Sequence, residues 1–170
     1  MPFEVGDCVV HPAHGVGHVV KLEEKQFFGE KARLYYEVNT DSCTVWVPAA
    51  DHKTLGLRPL TEKSRLSQYR KLLADAPVAL DPDHKTRHQE LTDRLRHGSF
   101  HDVCEIVRDL TALSWDKPLN DSDATMLRKA HQNLCKEWSI SSGISLKEAT
   151  KLIDNLLQDS QQRYFVKEAV

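Results

Sequence analysis

Two hydrophobic patterns divide this chain. In residues 1–60, short runs alternate Val, Tyr and Trp with polar residues: "DCVVHP", "GHVVKLEEKQF", "ARLYYEVNT" and "CTVWVP". Period-two alternation bounded by "AHG", "FGEK" and "TDS" predicts strands of a small antiparallel barrel or sandwich. Pro48 ends the fourth run and "LGLRPL" supplies a last short strand. A sheet this small has free edges, and an edge strand can accept a strand from a partner.

From residue 61 the apolar positions recur every three or four residues, which predicts helices. "TEKSRLSQYRKLLAD" opens on a Thr or Ser cap and spaces Leu66, Tyr69, Leu72 and Leu73 along one face. "APVALDPD" breaks the pattern with Pro77 and Pro82 and reads as a linker. A second helix runs from Asp83 to just before Gly98, and a third from Ser99 carries Phe100, Val103, Val107 and Leu110. The fourth spans about Ser122 to Trp138, with Leu127, Ala130, Leu134 and Trp138 on its stripe. The last begins at "SLKE", where Ser145 and Glu148 form a capping box ahead of Leu152, Ile153, Leu156 and Leu157. The expected organisation is α+β: a β module over 1–60 and an all-α domain over 61–170.

Composition narrows the function classes. The chain has 170 residues and a formal net charge of -2, so any contact with nucleic acid must come from a local patch. Cys8, Cys43, Cys104 and Cys135 stand far apart, which excludes a zinc ribbon and fits a reducing cytoplasm. "MPFEVGD" has neither the basic nor the apolar region of a signal peptide, and no run has the length of a membrane span. A cytoplasmic location follows as an expectation.

Candidate chemistry starts with "GDCVVHPAHGVGHVV", dense in histidine. His11 and His18 fall on different strands with His14 in the turn between them. Zinc needs three or four converging ligands, whereas Pro12 and Gly15 explain this stretch as a tight turn. His84 and His88, four apart on a helix, have chelating spacing but no HExxH pattern, and their face continues as Leu91 and Leu95. No GxSxG, phosphate-binding Gly-rich loop or activated cysteine signature occurs. No metal, cofactor or catalytic residue is therefore assigned. "HKTRHQELTDRLRH" is locally basic: Lys85, Arg87, Arg94 and Arg96 outnumber Glu90 and Asp93. Such a run is either a solvated helix face or a phosphate contact aided by the amides at the helix start. In the β half, Trp46 and the doublet Phe27–Phe28 are large apolar groups near strand ends. An extended doublet sends its rings to opposite faces, so one ring faces water or a partner.

"FEVGDCVVHPAHGVGHVV", the Gly-turn hairpin "FFGEKARLYYEV" and "VWVPAADHKTLGLRPL" resemble the N-terminal module of the CarD/CdnL family of bacterial transcription regulators. "LRHGSFHDVCEIVRDL" and "LRKAHQNL" extend the resemblance into the helical half. It implies a Tudor/SH3-like β module that docks edge-to-edge on the β subunit of RNA polymerase. It also implies a helical domain that meets promoter DNA at the upstream edge of the bubble and modulates open-complex stability. The implied protein is non-enzymatic, monomeric and carried to the nucleoid by the polymerase.

On the family's pattern the polymerase contacts fall at Lys25 and Trp46 and the DNA contacts at His84 and Arg87. Phe27 of the aromatic doublet is added to the first set, and Lys85 and Arg94 of the basic run to the second. Trp46 replaces a basic residue of other members, which favours an apolar contact over a salt bridge. His84 stands where members carry a tryptophan wedge, and imidazole offers less surface to an unstacked base step. Three alternatives remain at this point. One is an adaptor whose helices bind another protein, as reuse of the module in the transcription-repair coupling factor suggests. The others are a polymerase-independent DNA binder and a metalloenzyme.

Overall fold

Strand alternation and helical periodicity both appear in the computed structural model, which describes residues 2–165. Strands β1 (Cys8–His11), β2 (Gly15–Lys25), β3 (Arg33–Thr40), β4 (Thr44–Pro48) and β5 (Arg58–Pro59) come first. Helices α1 (Leu66–Ala74), α2 (His84–His97), α3 (Phe100–Asp116), α4 (Asp121–Ser142) and α5 (Leu146–Tyr164) follow. The chain divides into two compact units, one up to Leu60 together with Arg96–Ser99, the other made of Thr61–Leu95 and the chain from Phe100 on. Residues 1 and 166–170, inside the domain limits expected from sequence, lie outside the described residues.

In the first unit all strand pairs are antiparallel, in the order β4-β3-β2-β1-β5. Alternation sends Val9, Val19, Tyr36, Val38 and Val47 to one face, where Phe3, Ala49 and Leu57 complete the core. Val19 and Leu22 are three apart yet both join this core, because the β2–β3 register shifts between Val19 and Lys21. A bulge of this kind absorbs the extra residue and increases the local twist. The β1–β2 turn occupies Pro12–His14, and Gly15 follows at φ +76° as the turn reading requires. At the next turn the Glu30 N–H donates to the Phe27 carbonyl at 3.0 Å, with Gly29 at φ +81°. The Phe27–Phe28 doublet thus enters a turn instead of extending a strand.

The second unit buries Leu66, Tyr69 and Leu73 of α1 with Phe100, Cys104 and Val107 of α3. Leu134 and Trp138 of α4 and Ala149, Ile153 and Leu157 of α5 close that core. A smaller cluster joins Leu91 of α2 to Ile106 and Leu110 of α3. The Ser145–Glu148 capping box forms as expected. Helix α4 is longer than the sequence suggested: the Asn120 side chain caps it by accepting the Asp123 N–H at 2.8 Å. Its end is set by left-handed Gly143 beyond Ser142. Helix α1 starts at Leu66 after a 3-10 turn over Lys63–Arg65, with Arg65 at its N-cap and no side-chain cap, so neither Thr61 nor Ser64 caps it. The Thr61 hydroxyl donates instead to the buried Glu137 carboxylate at 3.0 Å.

Candidate functional site

On the sheet face opposite the core, strand register sets Trp46 of β4 across from Glu37 of β3, and Glu37 across from Lys21 of β2. β4 is an edge strand, so Trp46 stands both on this outer face and at the rim of the sheet. Its side chain is 44% exposed. The Lys25 ammonium lies 4.7 Å from the centre of the Trp46 ring, within cation–π range, and 3.0 Å from the Glu23 carboxylate. The hydrogen bond from Lys25 pulls the Glu23 carboxyl below its ordinary range, and the positive charge of Lys25 adds to this. Phe27 meets Tyr35 edge-on at 5.3 Å, and Phe28 beside it is fully exposed. The fold therefore brings Lys25 and Trp46 into contact and sets Phe27 on the ring of Tyr35. Sequence reasoning missed Glu23 and Tyr35, which the β2–β3 register would have revealed.

The start of α2 arranges its cations differently from expectation. His84 and Lys85 are exposed on the first turn. Arg87 is not: it is buried one turn before Leu91, on the helix face that packs inward. Its Nε and Nη2 donate to Asp123 Oδ2 of α4 at 3.0 and 2.7 Å. The guanidinium expected at phosphate thus has an internal carboxylate partner. Arg94 is drawn off as well, with its Nε 3.3 Å from Asp102 Oδ1 and its Nη2 3.7 Å from Glu105 Oε1.

The helix-start amides also have a local acceptor. The Asp83 carboxylate accepts from the Thr86 N–H at 3.0 Å and from its hydroxyl at 2.8 Å, and these bonds hold its pKa below the usual value. His88, on the helix face that continues as Leu91 and Leu95, is exposed, with Nδ1 2.9 Å from Ser122 Oγ.

The N-terminal histidines sit at the β1–β2 turn. The His11 and His14 rings lie 4.9 Å apart, and His11 Nδ1 accepts the Ala13 N–H at 3.1 Å. Burial, with His14 adding to it, lowers the His11 pKa. His14 Nδ1 is 3.5 Å from Cys43 Sγ, while His18 is exposed on β2. Among the described residues, His101, Asp102 and Glu105 bring their ligand-type atoms within 4.8 Å of one another. Arg94 and Arg108 approach the same carboxylates at 3.3 to 3.7 Å, which opposes a further cation there.

An exposed tryptophan under an ammonium at a sheet edge is recognition chemistry, and the comparisons with known proteins define its class. The family model "CarD-like/TRCF RID domain" matches residues 3–61, and "CarD, C-terminal domain" matches residues 68–154. The chain belongs to the CarD-like family of transcription factors. It is similar to the "Putative transcription factor YdeB" of Bacillus subtilis (strain 168), with 30% identity over 147 residues. That alignment covers 86% of this chain and 96% of the relative. Among the described residues no helix is long and apolar enough to cross a membrane.

Proposed function

We propose that this protein is a non-enzymatic transcription regulator that docks on the β subunit of RNA polymerase through β4 and the outer face of β2–β4. Its helical unit then meets promoter DNA at the upstream bubble edge and alters the lifetime of the open complex. One observation carries the docking half: the Lys25 ammonium rests on exposed Trp46 at a sheet edge. Edge-strand pairing supplies backbone hydrogen bonds, while an aromatic anchor beside a cation supplies specificity. Phe27 extends the apolar part of this surface.

The DNA half rests on His84 and Lys85, which face solvent on the first turn of α2. The partners implied are the polymerase β subunit and promoter DNA, with the regulator acting as a monomer in the cytoplasm and on the nucleoid. The test is open-complex lifetime on a promoter with and without the protein, against competitor DNA. A change in lifetime that Trp46→Ala removes supports the reading. An unchanged lifetime with polymerase bound defeats its DNA half.

A second reading, a polymerase-binding adaptor with little DNA contact, is favoured by a specific feature. Arg87 and Arg94 have carboxylate partners, and Asp83 places a negative charge at the helix start. In this reading the helices receive another protein, and open-complex lifetime depends on that protein being present.

A further inference from the structure

Residues 75–83 connect α1 to α2 without regular structure, yet helix side chains hold them at several points. The Val78 N–H donates to Asp109 Oδ1 of α3 at 3.0 Å. Asp109 is itself held by Arg108 Nε at 2.8 Å, and Arg108 Nη1 reaches the Leu72 carbonyl of α1 at 3.4 Å. Leu80 packs on the cluster of Leu91, Ile106 and Leu110. At the far end Arg87 Nη1 donates to the carbonyls of Asp81 at 2.8 Å and Pro82 at 3.4 Å. Arg87 Nε and Nη2 donate to Asp123, and the side chains of this ion pair are only 9% and 2% exposed. The expected linker is therefore a strap, and one guanidinium ties its last turn to α4.

We propose that Arg87 is a positioning residue: by tying the strap carbonyls of Asp81 and Pro82 to Asp123 of α4, it fixes how the first turn of α2 presents His84 and Lys85, and it gives no charge to nucleic acid. The assignment rests on the reading that this turn meets DNA. Its physical basis is the geometry of the fork. A planar guanidinium donates in several fixed directions at once, which an ammonium cannot reproduce. Releasing Arg87 to a phosphate would leave the buried Asp123 carboxylate uncompensated. Asp123 Oδ1 already has no hydrogen-bond partner among the described residues, so this carboxylate depends on the one guanidinium. Among the described residues of the first turn of α2, Lys85 has no such duty and is free to meet a phosphate.

The test uses the full chain and two measurements. Amide hydrogen exchange over residues 78–88 is followed in the free protein. The salt dependence of its affinity for bubble-containing promoter DNA is followed in the presence of RNA polymerase. Arg87→Lys, which keeps the charge and loses the fork, and Asp123→Asn are expected to speed exchange of the strap and first-turn amides about tenfold. Amides of the α1 and α5 core stay protected. Asp123→Asn makes the protein more positive, so electrostatics alone predicts tighter DNA binding, whereas loss of positioning predicts weaker binding at every salt concentration.

Lys85→Gln is expected to leave exchange unchanged and to lower the salt slope by about 1. The proposal is overturned if Arg87→Gln lowers the slope as Lys85→Gln does while strap exchange stays at the wild-type rate. It is overturned equally if Asp123→Asn binds DNA more tightly. If the wild-type chain makes no DNA contact, the functional reading fails by itself, and the exchange rates still decide whether Arg87 holds the strap.

Discussion

Gly17 offers a quantitative test of the β architecture. β2 and β3 approach so closely there that a Cβ would sit 2.6 Å from the Asn39 carbonyl oxygen, 2.9 Å from Val38 Cγ1 and 3.0 Å from Thr40 Cγ2. Gly17 does not adopt a positive φ, so the demand is for space alone. The closest neighbour is backbone in a paired strand, and it cannot rotate away as a side-chain tip can. Forcing a methyl group into such a site costs about 1–3 kcal/mol. Stiffening of the unfolded chain returns about 0.4–1 kcal/mol. Gly17→Ala should therefore lose about 1–2 kcal/mol, a fall of several degrees in Tm for a unit this small.

Gly29 is the control, since its φ is +81° and no atom lies within 4 Å of an added Cβ. Its substitution meets only the left-handed backbone penalty, which Asn tolerates. The assay is thermal and urea unfolding, with hydrogen exchange on β2–β3 peptides to assign the loss to this unit. Gly29→Asn should be milder than Gly29→Ala, and Gly17→Asn worse than Gly17→Ala. A wild-type midpoint for Gly17→Ala, or relief by Asn at Gly17, refutes the crowding argument.

Further predictions concern the helical unit. His131 has its pKa raised to about 9 by the Cys135 sulfur beside it and the Asp154 carboxylate at 2.7 Å, against opposing burial. A folded-state pKa above the unfolded value of 6.5 stabilises fully below 6.5, and this contribution is lost as pH rises through about 9. Asp154 is half exposed and screening is strong, so urea midpoints at pH 6 and 9.5 should show a loss of about 1 kcal/mol that His131→Gln abolishes. Ser145→Ala removes the reciprocal cap of α5 and should cost about 1 kcal/mol in chemical denaturation. Leu134→Ala opens a cavity at a fully buried position among α1, α3, α4 and α5 and should cost about 2–5 kcal/mol, measured the same way.

Local signals in the chain were readable because each acts over a few residues. Gly15 after Pro12 specifies the hairpin turn, and Ser145 with Glu148 specifies a helix start. Trp46 and Lys25 stood out as candidate contacts, but their stacking depends on the register of β2 against β3 and β3 against β4, which no short motif encodes. The internal pairing of Arg87 was hidden for a similar reason. A cation beside other cations reads as a surface charge until Asp123, 36 positions away, is packed against it. The strap followed the same rule, since the partner of Val78 is Asp109, 31 positions away. The two prolines mark where the helix stops, and only the tertiary fold shows what the intervening backbone bonds to.

Affinity of the full chain for core RNA polymerase, measured by titration for wild type, Trp46→Ala and Lys25→Glu, tests the docking face most directly. Truncating a central aromatic anchor costs about 2 kcal/mol or more, so Trp46→Ala should bind at least about 30-fold more weakly. Lys25→Glu should weaken binding and change its salt dependence, while Arg87→Lys should leave polymerase affinity unchanged. Wild-type affinity for both Trp46→Ala and Lys25→Glu would contradict the assignment of this face to the polymerase.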